Sequence, residues 1–222
     1  VMLDTTPFYA ASGGQAGDTG ELVGKGAVLD TRKFFELNLS KVNAASKISV
    51  GDTVKAVVSN ARAESAKHHS CTHLLHAVLR DVLGNTVTQA GSDVDDRRLR
   101  FDFTAPKAMT DAQIAEVETK VNALIAKNIG GKTEVMGVED AKNSGAMALF
   151  GEKYGDSVRV VSFGDASVEL CGGTHTGSTG EIGSFYIVKE SGVSAGVRRI
   201  EGVAGLSAVE YAKSFRAAVG EL

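Results

Sequence analysis

Apolar residues recur along this chain with two different periods. Up to about residue 60 they come in short β-rich runs, Gly26–Leu29 and Thr53–Val58, separated by turns such as Ser12-Gly13-Gly14-Gln15 and Val50-Gly51-Asp52. Short runs between glycine-rich turns, with no helical period, predict a small β-barrel or sandwich. From Arg62 to Leu83 the period becomes helical. With His69 at zero and about 100° per residue, Cys71, Leu74, Leu75, Val78 and Val82 fall between about 140° and 240°. Arg62, His69, His73, His76 and Arg80 fall within about 40° of zero on the same wheel. The predicted helix therefore buries one side and lines the other with imidazole and guanidinium. No acid interrupts that stripe, which favours the wall of a cleft over a solvated face.

Strand-like runs follow at Val87–Val94 and Leu99–Phe103. A second helix opens on the capping box Thr110-Asp-Ala-Gln113 and buries Ile114, Val117, Val121, Leu124 and Ile125. Gly130-Gly131 is expected to end it. Further strands are expected near Thr133–Val138, Val158–Phe163, Phe185–Lys189 and Val197–Val203, with a short helix around Asp140–Asn143. A last helix is expected to start at a second capping box, Ser207-Ala-Val-Glu210. Strands and helices without regular βαβ alternation predict an α+β fold with an antiparallel sheet. The expected division is 1–60, a β-barrel glycine-rich unit, and 61–222, an α/β core.

Composition narrows the function. With 43% apolar and 23% charged residues, the chain has the makeup of an ordinary globular protein. No apolar stretch approaches the roughly 20 residues that span a bilayer, so no membrane partner is expected. Two cysteines in 222 residues do not make a disulfide framework, which points to a reducing, cytoplasmic setting. A net charge of −3 argues against a general nucleic-acid binder but leaves room for a local basic patch that holds one RNA end. Val1 precedes Met2 and a strand follows at once, so the chain is expected to be cut from something longer.

Two short patterns carry the candidate chemistry: His69-Ser-Cys-Thr-His73 and Cys171-Gly-Gly-Thr-His175. Imidazole and thiolate bind zinc well, and three His with one Cys fill a tetrahedral shell. A separation of four places both members of a pair on one helical face. His68 projects about 100° away from His69 and cannot easily share its metal. His69 with His73 is the best first pair, with His73 and His76 in reserve. Cys71 points into the apolar side, as a small hydrophobe would. Gly172-Gly173 breaks a helix, so Cys171 and His175 are expected on a strand-to-turn edge where backbone approaches a ligand closely. Spacing alone leaves these two residues balanced between ligands and an unligated core Cys with a surface His.

These motifs together resemble the editing domain of alanyl-tRNA synthetases and its freestanding relatives. Other blocks agree: Leu3-Asp-Thr-Thr-Pro-Phe-Tyr9, Ser12-Gly-Gly-Gln15 to Gly17-Asp18, Gly145-Ala-Met-Ala-Leu-Phe-Gly-Glu-Lys-Tyr154, Thr179-Gly-Glu-Ile-Gly183 and Gly196-Val-Arg-Arg-Ile-Glu201. The match runs in family order through nearly the whole chain, and the block at Ala146–Tyr154 is closer to bacterial full-length synthetases than to the freestanding proteins. Three departures stand out. His68 replaces the usual Asn before the first ligand, Ala11 stands where many members carry Glu, and Val28–Ser49 matches poorly.

The resemblance implies hydrolysis of the ester in tRNA(Ala) mischarged with Ser or Gly, in a small β-barrel followed by an editing core shared with threonyl-tRNA synthetase. It implies zinc as cofactor, held by His69, His73, Cys171 and His175, with Thr6 and Gln89 in the editing pocket. The rest of a synthetase is an implied partner. On this reading Thr6 offers a partner to the seryl hydroxyl, and Cys171 is both ligand and catalytic-site residue. Arg62, Arg80, Arg97, Arg98, Arg198 and Arg199 are the basic residues expected to meet the tRNA end. Two alternatives stand beside it: a freestanding hydrolase acting in trans, and a non-catalytic RNA-binding module whose zinc is structural. Four protein ligands close a zinc site, which favours the last.

Overall fold

The computed structural model describes residues 1–147 and 155–220. Of the block Gly145–Tyr154, residues 148–154 therefore lie outside the described residues. Eleven strands and four α-helices are found among the described residues: β1 Gly20–Leu22, β2 Gly26–Phe34, β3 Leu37–Ala44, β4 Ala56–Val58, α1 Ala61–Leu83, β5 Gln89–Val94, β6 Leu99–Thr104, α2 Asp111–Ala126, β7 Gly131–Gly137, α3 Val138–Asn143, β8 Ser157–Phe163, β9 Ser167–Leu170, β10 Phe185–Ser194, β11 Val197–Ala204 and α4 Gly205–Gly220. They form three antiparallel sheets, ordered β3-β2-β1-β4, β10-β11-β6-β5 and β7-β8-β9. The fold is mixed, with antiparallel sheets, as its pattern predicts.

The expected N-terminal barrel is corrected. Its place is taken by an open four-stranded sheet around a small core of Phe8, Leu22 and Val28. β3 and β4, at the two ends of this order, do not pair with each other, so the sheet does not close.

The main core lies where α1 packs on α2 and on the sheet holding β6 and β11. Leu99, Phe101 and Phe103 alternate inward along β6 and meet Leu74, Leu75 and Leu79 of α1, all fully buried. Burying such a side chain contributes about 1.5–3 kcal/mol each, so this contact fixes the helix on the sheet. The capping box of α2 forms as read: Gln113 N donates to Thr110 Oγ1 at 3.2 Å and Thr110 N donates to Gln113 Oε1 at 3.0 Å. The box expected at Ser207 does not form, because α4 already begins at Gly205. There Glu64 of α1 takes over, accepting from Leu206 N at 3.1 Å. No described helix is long and apolar enough to cross a membrane.

α1 is buried on more than its apolar side. His68, His69, His73 and His76 are all 5% exposed or less, so the imidazole stripe faces the interior. His68 Nε2 accepts from Ala204 N at 3.0 Å while its Nδ1 donates to Glu64 O at 3.0 Å. The His that departs from the family pattern thus ties α1 to β11, away from the ligands. Ala11 is held through its backbone, N–H to Thr31 O at 2.9 Å, so that tie needs no side chain.

Candidate functional site

The two ligand pairs, a hundred residues apart in sequence, meet. One nitrogen from each of His69, His73 and His175 and the sulfur of Cys171 all lie within 4.8 Å of one another. α1 supplies the first pair one turn apart. The second pair follows the end of β9, on the strand-to-turn edge that the glycines predict. Cys171 Sγ is 3.4 Å from His69 Nε2 and 3.2 Å from His175 Nε2. Ligands around one tetrahedral zinc, at about 2.0 and 2.3 Å from it, stand about 3.5 Å apart. The donor set and its spacing fit zinc.

Two of the three imidazoles have a hydrogen-bond neighbour at the other nitrogen, as metal-bound histidines do, while His73 Nδ1 faces a carboxylate beyond hydrogen-bond distance. His69 Nδ1 donates to Gln15 Oε1 at 2.7 Å, His175 Nδ1 lies 3.1 Å from Ser70 Oγ, and His73 Nδ1 lies 3.6 Å from Glu169 Oε2. His76 is not one of the four. Its Nδ1 donates to Glu169 Oε1 at 3.0 Å, so it steadies the carboxylate behind His73. The donor cluster is thus the one built on His69 with His73, and His76 lies outside it.

The electrostatics keep the cluster ready to bind. Burial, with His73 and Arg159 nearby, holds the His69 imidazole down to about 3, and burial likewise lowers His73 and His175. All three imidazoles are then neutral at pH 7, the form that can bind a metal. Burial pushes the Glu169 carboxyl up, but His73 and His76 beside it and a hydrogen bond from Ser167 bring it below its ordinary value. Burial also drives the Cys71 thiol up, which makes it an inert core residue.

The loop that carries Cys171 is held from below. Arg159 of β8 donates to Cys171 O at 2.8 Å and Gly173 O at 2.6 Å. Gly173 N points at Cys171 Sγ, 3.4 Å away. A Cβ at Gly173 would sit 2.0 Å from His69 Cε1, so only glycine lets this backbone pass the ligand.

His69, His73 and Cys171 of the cluster form one wall of a cavity of about 170 Å³, while His175 stands behind them, off its lining. Gln89, Ser92, Tyr9, Thr72, Glu169 and Gly13 line other parts of it. That volume is below the roughly 300 Å³ of ordinary ligand pockets, so it suits one small group rather than a nucleotide. Thr6 is not among the lining residues; its Oγ1 accepts from Phe8 N at 3.1 Å. Ser92 takes a place in the lining that the sequence did not suggest, and its buried Oγ has no hydrogen-bond partner among the described residues. Gln15, Ser70, Glu169 and Arg159 carry no sequence signal for a site role, because each meets partners distant in sequence or on a neighbouring element.

The six arginines are mostly engaged within the chain. Arg62 reaches Asp18 and Pro7 O, Arg80 reaches Asn85 O and Val87 O, and Arg98 reaches Asp93 and Glu201. Arg198 and Arg199 form two-pronged pairs with Glu190 and Asp102. Arg97, with its side chain 82% exposed, is the most open of the six.

Comparison with known proteins agrees with the motifs. Residues 158–201 match the threonyl and alanyl tRNA synthetase second additional domain, and residues 1–62 match the class II (A) tRNA synthetases. Over 95% of its length the chain is 62% identical to the alanine–tRNA ligase of Sulfurimonas denitrificans, of which it covers 25%. It is 60% identical to that of Wolinella succinogenes over 96% of the chain and 25% of the relative, and 54% identical to that of Helicobacter pylori over 96% and 26%. The chain spans about a quarter of the length of these curated relatives. With motifs, second additional domain and relatives in agreement, the chain belongs to the alanine–tRNA ligase family.

Proposed function

We propose that this chain is a hydrolytic editing unit, which cleaves the ester of tRNA(Ala) mischarged with serine or glycine, working with the rest of a synthetase. The observation that carries this reading is a zinc-compatible His₃Cys cluster, three of whose members, His69, His73 and Cys171, wall a cavity the size of an aminoacyl group. The need for such a unit is physical. A synthetic pocket shaped for alanine cannot exclude glycine, and it rejects an isostere bearing one hydroxyl only weakly, so a second site that hydrolyses wrong products is the remedy.

His69, His73, Cys171 and His175 would hold the zinc, whose chemistry when bound is Lewis acidity toward an ester or a water. The chain's own groups do the rest. Gln89 offers an amide that can both donate to and accept from the aminoacyl group. The loop at Gly172-Gly173 brings backbone up to the cavity wall, and its small volume admits the aminoacyl group while leaving the nucleotide outside. In this reading Ser92 Oγ, which lacks a partner among the described residues, receives the seryl hydroxyl. Thr6, off the lining, would act on the substrate only through the Pro7–Tyr9 turn.

The test is deacylation of Ser-tRNA(Ala), Gly-tRNA(Ala) and Ala-tRNA(Ala) by the chain. Rates on the first two should exceed that on the third, and equal rates on all three would refute editing. Ser92→Ala should lower kcat/KM for Ser-tRNA(Ala) by about 5- to 10-fold, the worth of one hydrogen bond, and leave Gly-tRNA(Ala) nearly unchanged. Equal losses on both substrates would remove Ser92 from its role.

A further inference from the structure

Gln15 stands on the glycine-rich turn before β1 and is only 2% exposed. Its carboxamide touches both halves of the ligand set. Oε1 accepts from His69 Nδ1 at 2.7 Å and from Thr174 N at 2.9 Å, and Nε2 donates to Thr174 Oγ1 at 2.8 Å. His69 belongs to the first ligand pair, and Thr174 lies between the two members of the second.

The orientation of the amide follows from its partners. A backbone N–H can only donate, so the atom facing Thr174 N is the oxygen. His69 Nδ1 meets that same oxygen and must therefore carry the proton. This fixes the tautomer in which Nε2, the nitrogen 3.4 Å from Cys171 Sγ, keeps its lone pair for a metal.

The turn that presents Gln15 is itself pinned. Ala16 N donates to Val94 O at 2.8 Å, and Val94 N donates to Gly14 O at 2.8 Å. At Gly14, where φ is +81°, a Cβ would lie 2.4 Å from Ser92 O, so the turn sits directly on β5. The side chain thus reaches the cluster from a backbone fixed independently of α1 and of the Cys171–His175 loop.

We infer that Gln15 is a positioning residue for the metal: it fixes the tautomer of His69 and sets the distance between the two ligand pairs. The first sixty residues thereby take part in building a centre whose four ligands all lie elsewhere. This inference rests on the proposal that the cluster holds zinc. Losing a partner of this kind lowers metal affinity by about 10- to 100-fold.

The experiment measures the zinc affinity of the chain by competition with a chromophoric chelator, for wild type, Gln15→Met and Gln15→Glu. Gln15→Met keeps length and volume but has no oxygen, and should bind zinc about 10- to 100-fold more weakly. Gln15→Glu keeps an acceptor for His69 Nδ1 and Thr174 N and should stay close to wild type. Should Gln15→Met fail to fold, Gln15→Asn, whose amide is one methylene too short to reach both partners, carries the same expectation. Wild-type affinity in the Met or Asn variant, or equal weakening in the Glu and Met variants, would overturn the positioning role while leaving the zinc reading intact. Failure of the wild type to bind zinc would instead remove the reading beneath it.

Discussion

Replacing Cys171 with Ala should abolish deacylation of Ser-tRNA(Ala), with a loss in kcat/KM of about 10³-fold or more, equivalent to about 4 kcal/mol. In the proposed zinc site the sulfur would be the one ligand atom to bring a negative charge beside three neutral imidazoles. It stands 3.4 and 3.2 Å from His69 and His175 Nε2, where alanine leaves nothing. The rest of the cluster should survive. Arg159 holds the loop through the Cys171 and Gly173 carbonyls, Gln15 and Ser70 hold the His69 and His175 rings, and the Glu169 carboxylate lies 3.6 Å from His73 Nδ1. The variant should therefore fold, contain little zinc after dialysis, and fail in single-turnover deacylation. Full activity at substoichiometric zinc would contradict the assignment.

The largest effect on stability is expected at Arg62. Its guanidinium reaches the Asp18 carboxylate and donates to Pro7 O at 2.5 Å, while Asp18 also accepts from Tyr9 N at 2.6 Å. The side chain of Asp18 is 4% exposed and that of Arg62 is 31% exposed. Arg62→Met leaves a buried carboxylate without its cation, a change that costs about 3–5 kcal/mol in such pairs. We expect the low end, about 3 kcal/mol, because water can reach the side of Arg62. Denaturant unfolding checks the value, and the double variant Arg62→Met with Asp18→Asn should recover part of it. The same substitution distinguishes a clasp from an RNA contact. A phosphate-binding arginine, once removed, reduces the salt dependence of tRNA binding by about one ion, whereas Arg62→Met should leave that slope unchanged.

Much of this site is legible in the sequence because it depends on local period. His69 and His73 share a helical face, Cys171 and His175 flank a glycine turn, and a hundred residues of chain fold them together. α1 and α2 are legible for the same reason, since their apolar stripes and the Thr110 box are local signals. β3 is not, because its inward position Ser40 and the facing Thr31 of β2 are polar and bond to each other at 3.3 Å. An interior built from hydroxyls hides a strand from any hydrophobic pattern. The barrel expectation fails because closure depends on which edge strands pair, which alternation does not report. Ser207 looked like a cap because its own neighbours fit the box, while the group that serves α4 comes from Glu64, far away in sequence.

The arginines show the same limit from the electrostatic side. Arg199 and Asp102 lie opposite each other on β11 and β6, and Arg198 reaches Glu190 on β10, so pairs that look like a basic patch in sequence neutralise across strands. Gln89 was placed by resemblance and does line the cavity, whereas Thr6 was placed the same way and does not. Ser92, two strand positions beyond the Ala90 neighbour of Gln89, carried no sequence signal of its own. Its buried hydroxyl, without a partner among the described residues, is visible only in three dimensions.

The central claim is that this chain hydrolyses a mischarged ester and needs the His₃Cys metal to do so. The most direct measurement is single-turnover hydrolysis of Ser-tRNA(Ala) by the chain as purified, after zinc removal by chelation and dialysis, and after zinc is added back. The account predicts hydrolysis by the first sample, loss in the second and recovery in the third. Hydrolysis that persists at full rate without zinc would contradict it, as would a folded, zinc-loaded chain that binds tRNA and leaves the ester intact.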